Sequence, residues 1–323
     1  MKEFKLFFTL CLVLTVNYAS AQLCPQDDRF TNSEYFSKTQ IDSLKNVTYG
    51  NANNYLGESQ DLKMDIYFPN NSIDTMIKRP LILLIHGGGF YTGKREGMSI
   101  HSNEFAKRGF VVATMSYRLG FNDSINQGIV KALYRAQQDA NAALRYVVEN
   151  ADKLKIDTSW IFLGGSSAGA MTSMLTTYAS PEEWAQVNSQ IESDLGSLDS
   201  SGNELKQTFE IKGIYNHVGG VHPIVLDLED LIPMVSFHGE LDETAPIDKR
   251  KNGFGSRAIH NMLNEAEVCN DLTIVPDGTH NILNSYEGIT FRVNRVACFF
   301  KSLMCDTCVD FVASENVPAV CSD

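Results

Sequence analysis

An α/β fold, with a mostly parallel central sheet and helices on both of its faces, is predicted by two features of the sequence. Strand-length apolar stretches alternate with helix-patterned stretches from about residue 64 to residue 303, and several of the strands are apolar without a break, as in Leu81-Ile82-Leu83-Leu84-Ile85. A strand covered on both faces needs no polar side, and a parallel neighbour can be reached only through a crossover that is usually a helix.

The strands expected in order are Met64–Phe68, Leu81–His86, Val111–Tyr117, Trp160–Leu163, Gly213–Asn216, Met234–His238 and Leu272–Val275. Helices are expected near Met98–Arg108, Gly128–Asn150, Ala168–Tyr178, Arg257–Glu265 and Tyr286–Met304. In the second of these, Ala136, Ala140, Ala143, Leu144 and Val147 recur at helical spacing and mark the face that packs on the sheet. Residues 181–210 break the rhythm: they are polar, start at Pro181 and carry Gly196 and Gly202. They read as a small insertion, either a lid or a surface excursion.

The chain has 323 residues, 43% of them hydrophobic, enough for one large core spanning residues 22–303. Its formal charge is −12 and its Lys and Arg are scattered, so no nucleic-acid partner is expected. Lys2 and Lys5, the apolar run Leu6–Val16 and the small residues Ala19-Ser20-Ala21 read as a cleaved signal peptide over residues 1–21, giving a secreted or periplasmic protein. That run is too short for the roughly 20 residues that cross a bilayer, and no other stretch is longer, so no membrane span is expected.

Of seven cysteines, Cys11 lies in the signal segment. Cys24, Cys269, Cys298, Cys305, Cys308 and Cys321 are expected to form disulfides that pin a Cys-rich tail at 304–323, in a connectivity that spacing does not rank. Cys305-x-x-Cys308 also has a zinc or redox reading, weakened by the absence of histidines at matching spacing and by the export signal.

The chemistry is concentrated in three places. Gly165-Ser166-Ser167-Ala168-Gly169 fits G-x-S-x-G between an apolar strand and a helix-forming run, the setting in which a sharp turn lifts a serine hydroxyl clear of a sheet. Ser167 is in the register of that turn and Ser166 is not. His86-Gly87-Gly88-Gly89-Phe90 directly follows a central strand, where consecutive glycines let backbone N–H groups converge on a developing oxyanion. Gly88, Gly89 and Ala168 are the expected donors. A serine nucleophile needs a base and the base needs an acid to orient it. His280 follows the Leu272–Val275 strand, and Asp242 follows the Met234–His238 strand, in the chain order Ser, Asp, His. Glu240 and then Asp248 are the rival acids. His217 and His222 precede the acids and so break that order.

These motifs together resemble the carboxylesterase, hormone-sensitive-lipase-like and feruloyl-esterase-like branch of the α/β-hydrolases. Ser116-Tyr117-Arg118-Leu119 resembles its "YRL" strand end, and Ala143-Leu144-Arg145-Tyr146-Val147 is similar to its "ALRWV" helix. His238-Gly239-x-x-Asp242-x-x-x-Pro246 is similar to its "HGxxDxxVP" turn, with Ala245 in place of Val. The resemblance covers roughly residues 45–303 and implies the α/β-hydrolase fold and serine ester hydrolysis through an acyl-enzyme, with no metal or cofactor.

Phe90, Tyr91, Tyr117 and Trp184 are expected to wall a short, wide pocket suited to small acyl groups or flat aromatic acids, on carbohydrate or polyester substrates among others. The rival readings are a lipase on longer chains, a peptidase of the same fold and a non-catalytic binding module. Ala168 stands where such a peptidase would carry a tyrosine, and a binding module would usually lack the serine or the histidine.

Overall fold

The computed structural model describes residues 24–25, 27–122, 127–222, 225, 231–250, 253–307 and 311–314. The expected signal segment 1–21, and Cys308 and Cys321 of the tail, lie outside the described residues. In chain order the strands are β1 (Ile41–Asn53), β2 (Ser59–Pro69), β3 (Arg79–Ile85), β4 (Val111–Met115), β5 (Ile156–Ser166), β6 (Ile211–His217), β7 (Gly220–Val221), β8 (Met234–Gly239), β9 (Lys249–Arg250), β10 (Gly253–Gly255), β11 (Asn270–Val275) and β12 (Phe311–Ser314). The helices are α1 (Ser99–Lys107), α2 (Gln127–Glu149), α3 (Ala151–Leu154), α4 (Ala168–Tyr178), α5 (Pro181–Val187), α6 (Ile191–Leu195), α7 (Ser256–Glu265) and α8 (Tyr286–Met304).

Nine strands form one sheet in the order β1-β2-β4-β3-β5-β6-β8-β11-β12. β1, β2 and β4 pair antiparallel, and every pairing from β4 through β3 to β12 is parallel. A small second sheet runs β7-β10-β9. With this topology and helices on both faces, the protein has the α/β-hydrolase fold.

β3 shows why the sheet sits in the centre, for all seven of its residues are buried. Leu81, Leu83 and Ile85 share one core with Ala136, Ala140 and Leu144 of α2. Ile82 and Leu84, on the other face, share a second core with Phe105 of α1 and Val293 and Phe300 of α8. Each of these large side chains contributes about 1.5–3 kcal/mol by leaving water, before the entropy of ordering it is subtracted. The alanine stripe of α2 lets that long helix lie close against the strands.

The strand end that reads Tyr117-Arg118-Leu119 is held by a buried ion pair. Asp139 of α2 accepts from the Arg118 backbone N–H at 2.7 Å and from its Nε at 2.9 Å. The chain termini of the fold are pinned as well. Cys24 and Cys305 form a disulfide, and Cys269 and Cys298 are disulfide-bonded too. Cys305 is therefore not a thiolate available to a metal.

The 181–210 segment carries two helical turns, α5 and α6, and is tied to α2. The Gln138 side chain donates to the carbonyls of Leu195 and Gly196 at 2.9 Å, and Tyr134 donates to Gly196 O at 2.9 Å. Further along, Gly202 O accepts from the Asn51 backbone of β1 at 2.7 Å.

Candidate active site

Parallel strands bring their C-terminal ends to one edge of the sheet, where ligand sites of open α/β sheets lie. Here β3 leads into the glycine loop, β5 into the turn at Ser167, β8 into the turn to Asp242, and β11 into the loop to His280. Four segments distant in sequence thus meet because their strands lie within the run β3-β5-β6-β8-β11 of one sheet.

Ser167 caps α4 with φ 53° and ψ −116°, in a region that non-glycine residues rarely adopt. Helix and strand nearly touch at this turn: a Cβ placed on Gly169 would lie 2.0 Å from the Ile85 carbonyl oxygen. The glycine lets the backbone close tightly, and the closure over-determines the strained serine. Its backbone is held by a bond from Ser167 N to His217 O at 2.8 Å.

The Ser167 hydroxyl lies 2.9 Å from His280 Nε2, and His280 Nδ1 lies 2.7 Å from Asp242 Oδ2. A carboxylate can only accept here, so Nδ1 carries the proton and Nε2 is free to accept from Ser167. Asp242 is 3% exposed, and its other oxygen accepts from the backbone N–H groups of Thr244 and Ala245, both at 2.9 Å. The His280 side chain keeps a 20% opening to solvent. Asp242, not Glu240 or Asp248, is the acid brought to His280; the other two face solvent and pair with Arg257.

The glycine loop comes alongside. A Cβ on Gly87 would stand 3.4 Å from Ser167 Cβ. Gly88 turns the chain at φ 120°, with its carbonyl accepting from Tyr91 N and Thr92 N at 3.0 Å. Gly89 follows at φ 62°, and Ala168 heads α4. Ala168 thus follows Ser167 directly, and Gly88 and Gly89 continue the loop from Gly87, the glycine that stands against the serine.

The aromatic residues divide. Tyr91 is 65% exposed and meets the half-buried Phe121 edge-on at 6.0 Å between ring centroids, beside the glycine loop. Phe90, Tyr117 and Trp184 are not placed as expected: each is buried. The Tyr117 ring stacks on His86 at 4.4 Å and its hydroxyl donates to His86 O at 3.0 Å, so it underpins the loop instead of walling a pocket. Burial pushes that phenol well up, and it stays a donor. Trp184 is completely enclosed, edge-on to Tyr134, because α5 turns inward onto α2.

Two features escaped the sequence. His238, fully buried at the end of β8, places Nε2 3.2 Å from Asp242 Oδ2 and 2.6 Å from Ala245 O. Burial lowers its basicity, so it sits beside the acid as a neutral donor. Ser166, out of register for the turn, is hydrogen-bonded to His217 at 2.8 Å. His238 stands inside a motif already singled out, but the spacing of that motif does not say what its histidine touches.

Comparison with known proteins finds esterases among those similar to this chain. The BD-FAE family model matches residues 64–230, which include the glycine loop and Ser167 and stop short of Asp242 and His280. Gut esterase 1 of Caenorhabditis elegans is 35% identical over 96 residues, 29% of this chain and 17% of that protein. The neuroligin-like protein glit-1 of the same organism is 30% identical over 116 residues, 36% of this chain and 16% of that protein. The chain thus spans about a sixth of the length of these curated relatives. Among solved structures, a truncated carbohydrate esterase from gut microbiota superposes with a TM-score of 0.57 at 19% identity, covering 84% of this chain and 99% of that one. The propionate-bound esterase Est2 of Thermogutta terrifontis does so at 0.59 and 18%, covering 85% and 97%. With its model matched over just more than half of the 323 residues, the chain belongs to the BD-FAE family.

Proposed function

We propose that the protein is a serine carboxylic-ester hydrolase in which Ser167 is the nucleophile, His280 the base and Asp242 the acid that orients it. The observation that carries this reading is the unbroken hydrogen-bond chain from Ser167 through His280 to Asp242 at 2.9 and 2.7 Å. His280 takes the hydroxyl proton as Ser167 Oγ attacks the ester carbonyl, and the backbone N–H groups of Gly88, Gly89 and Ala168 receive the oxyanion. His280 then gives its proton to the departing alcohol. Water, deprotonated in turn by His280, attacks the acyl-enzyme and releases the acid and Ser167. Asp242 holds the Nδ1 proton in place and stabilises the imidazolium formed in each half-reaction.

The substrates proposed are short-chain and aromatic-acid esters, carried on carbohydrates among other alcohols. Support comes from the exposed Tyr91, edge-on to Phe121 beside the glycine loop, and from likeness to a carbohydrate esterase and to an esterase that holds propionate. The disulfide-bonded cysteines fit an exported chain whose mature form begins at Gln22.

An ester panel on the full chain tests the reading. p-Nitrophenyl acetate, p-nitrophenyl butyrate and methyl ferulate should be hydrolysed, p-nitrophenyl butyrate should exceed p-nitrophenyl palmitate in kcat/KM, and Ser167→Ala should lose at least about 10⁴-fold in kcat. Preference for palmitate would indicate a lipase, turnover of peptides alone a peptidase, and no turnover of either a binding module.

A further inference from the structure

Behind the nucleophile lies a second serine–histidine pair that the proposed reaction does not use. His217 ends β6, is buried, and makes two side-chain bonds: Nδ1 to the Ser166 hydroxyl at 2.8 Å and Nε2 to the Ile282 carbonyl at 3.1 Å. A carbonyl only accepts, so Nε2 carries the proton. Nδ1 must then be the acceptor, and Ser166 donates to it. Burial, the nearby Arg292 charge and His101 hold this ring neutral, which keeps that tautomer in place.

The two partners are not arbitrary. Ser166 immediately precedes the nucleophile, and Ile282 follows the base by two residues. The backbone carbonyl of His217 also accepts from Ser167 N at 2.8 Å. The next carbonyl along the base loop, that of Leu283, accepts from Arg292 Nε at 3.2 Å and from Nη2 at 3.0 Å, with Leu283 itself at φ 50°. The loop that carries His280 is thus held from beneath at two successive carbonyls, and one of the two holds also grips the nucleophile turn.

We propose that His217 is a positioning residue: it ties the serine turn, through Ser166, to the base loop, through Ile282, and so sets the separation between Ser167 Oγ and His280 Nε2. The inference rests on the assignment of Ser167 and His280 as nucleophile and base. It does not involve contact between His217 and substrate. Its effect is on the geometry of attack, where a displacement of about 1 Å costs on the order of 100-fold in rate.

The two arms can be cut separately in the full chain. His217→Asn keeps an acceptor where Nδ1 stood and is too short for Ile282. His217→Gln reaches towards Ile282 and gives up the acceptor for Ser166. Ser166→Ala removes the first arm with almost no change in volume. With p-nitrophenyl butyrate, each variant should lose roughly 10- to 100-fold in kcat while KM moves less than about threefold, because binding is untouched and attack is misaligned. The double variant Ser166→Ala/His217→Asn should be no worse than the worse single one, since both cut one path.

Unchanged kcat in folded variants, or single losses that multiply in the double variant, would overturn the proposal. If the His217 variants do not fold, Ser166→Ala decides: a kcat loss of at least about fivefold at an unchanged melting temperature upholds it, and wild-type kcat overturns it. A wild-type protein that turns over no ester defeats instead the assignment of Ser167 and His280, and the proposal with it.

Discussion

Trp184 donates its indole N–H to Oε1 of Gln137 across 2.6 Å, with both side chains closed off from solvent. Gln137 in turn gives its amide to the carbonyl of Ala179 at 2.8 Å. One ring thus fastens α5 and the end of α4 to the middle of α2. Trp184→Ala should destabilise the fold by about 3–5 kcal/mol, through the cavity and the orphaned Gln137 oxygen. The ratio of kcat/KM for methyl ferulate over p-nitrophenyl acetate should stay within about twofold of wild type. Urea unfolding and the two-ester ratio check this. A changed ratio at unchanged stability would put the ring in the substrate site.

Asp242 is enclosed and takes four donors, whereas Glu240 is exposed and reaches Arg257 at 3.9 Å. Asp242→Asn should lower kcat by about 10³- to 10⁴-fold, because the amide can present N–H where His280 needs an acceptor and so favours the wrong tautomer. Glu240→Gln should stay within about threefold of wild type, as exposed ion pairs contribute little. Kinetics of the two variants on one short ester decide between them, and the reverse severity would move the acid to Glu240.

His101 is buried with both ring nitrogens lacking a hydrogen-bond partner among the described residues, and burial together with the Arg292 charge pushes its pKa down to about 3. In the unfolded chain a histidine titrates near 6.5. Between those values the unfolded state binds a proton that the folded state refuses, so stability is full above about pH 6.5 and is lost as pH falls towards 3. His217 is shifted in the same direction. Each such group steepens the loss by at most about 1.4 kcal/mol per pH unit. The melting temperature should therefore drop between pH 7 and pH 4, and less steeply in His101→Leu. An identical slope in the variant would exclude His101 as a cause.

The disulfide between Cys24 and Cys305 closes 281 residues of chain, and Arg29 anchors the same N-terminal stretch by donating to both oxygens of Asp74, at 2.8 and 2.7 Å. Cross-linking so long a loop restricts the unfolded chain, at about 2–5 kcal/mol. Cys24→Ser should lower the melting temperature by several degrees with kcat unchanged, because the bridge lies at the end of α8 and not at the sheet edge that carries the site. A melting curve insensitive to the substitution and to reduction would contradict this.

The central strands were legible because burial on both faces leaves an apolar run with no polar interruption, and G-x-S-x-G, the glycine triplet and the Asp-turn each carry their own spacing. Helices α4 and α8 begin and end where the pattern places them. β1 was not legible: most of its 13 residues face solvent, so no alternation betrays it. β7, β9 and β10 span two or three residues, too few for any periodicity. The direction in which Trp184 turns depends on α2, nearly fifty positions away, and local sequence has no record of it. The same holds for Ser166 and His217, 51 residues apart, which meet only because β5 and β6 are neighbours.

The central claim is that Ser167 is the nucleophile, and mapping the site of a fluorophosphonate adduct tests it most directly. The probe phosphonylates a serine activated by a base, the role proposed for Ser167 on the strength of its bond to His280. The account predicts one adduct per chain, on Ser167 in the peptide that spans Gly165–Gly169, with ester turnover lost in step and no labelling of Ser167→Ala. An adduct on Ser166, or ester turnover that survives complete labelling of Ser167, would contradict it.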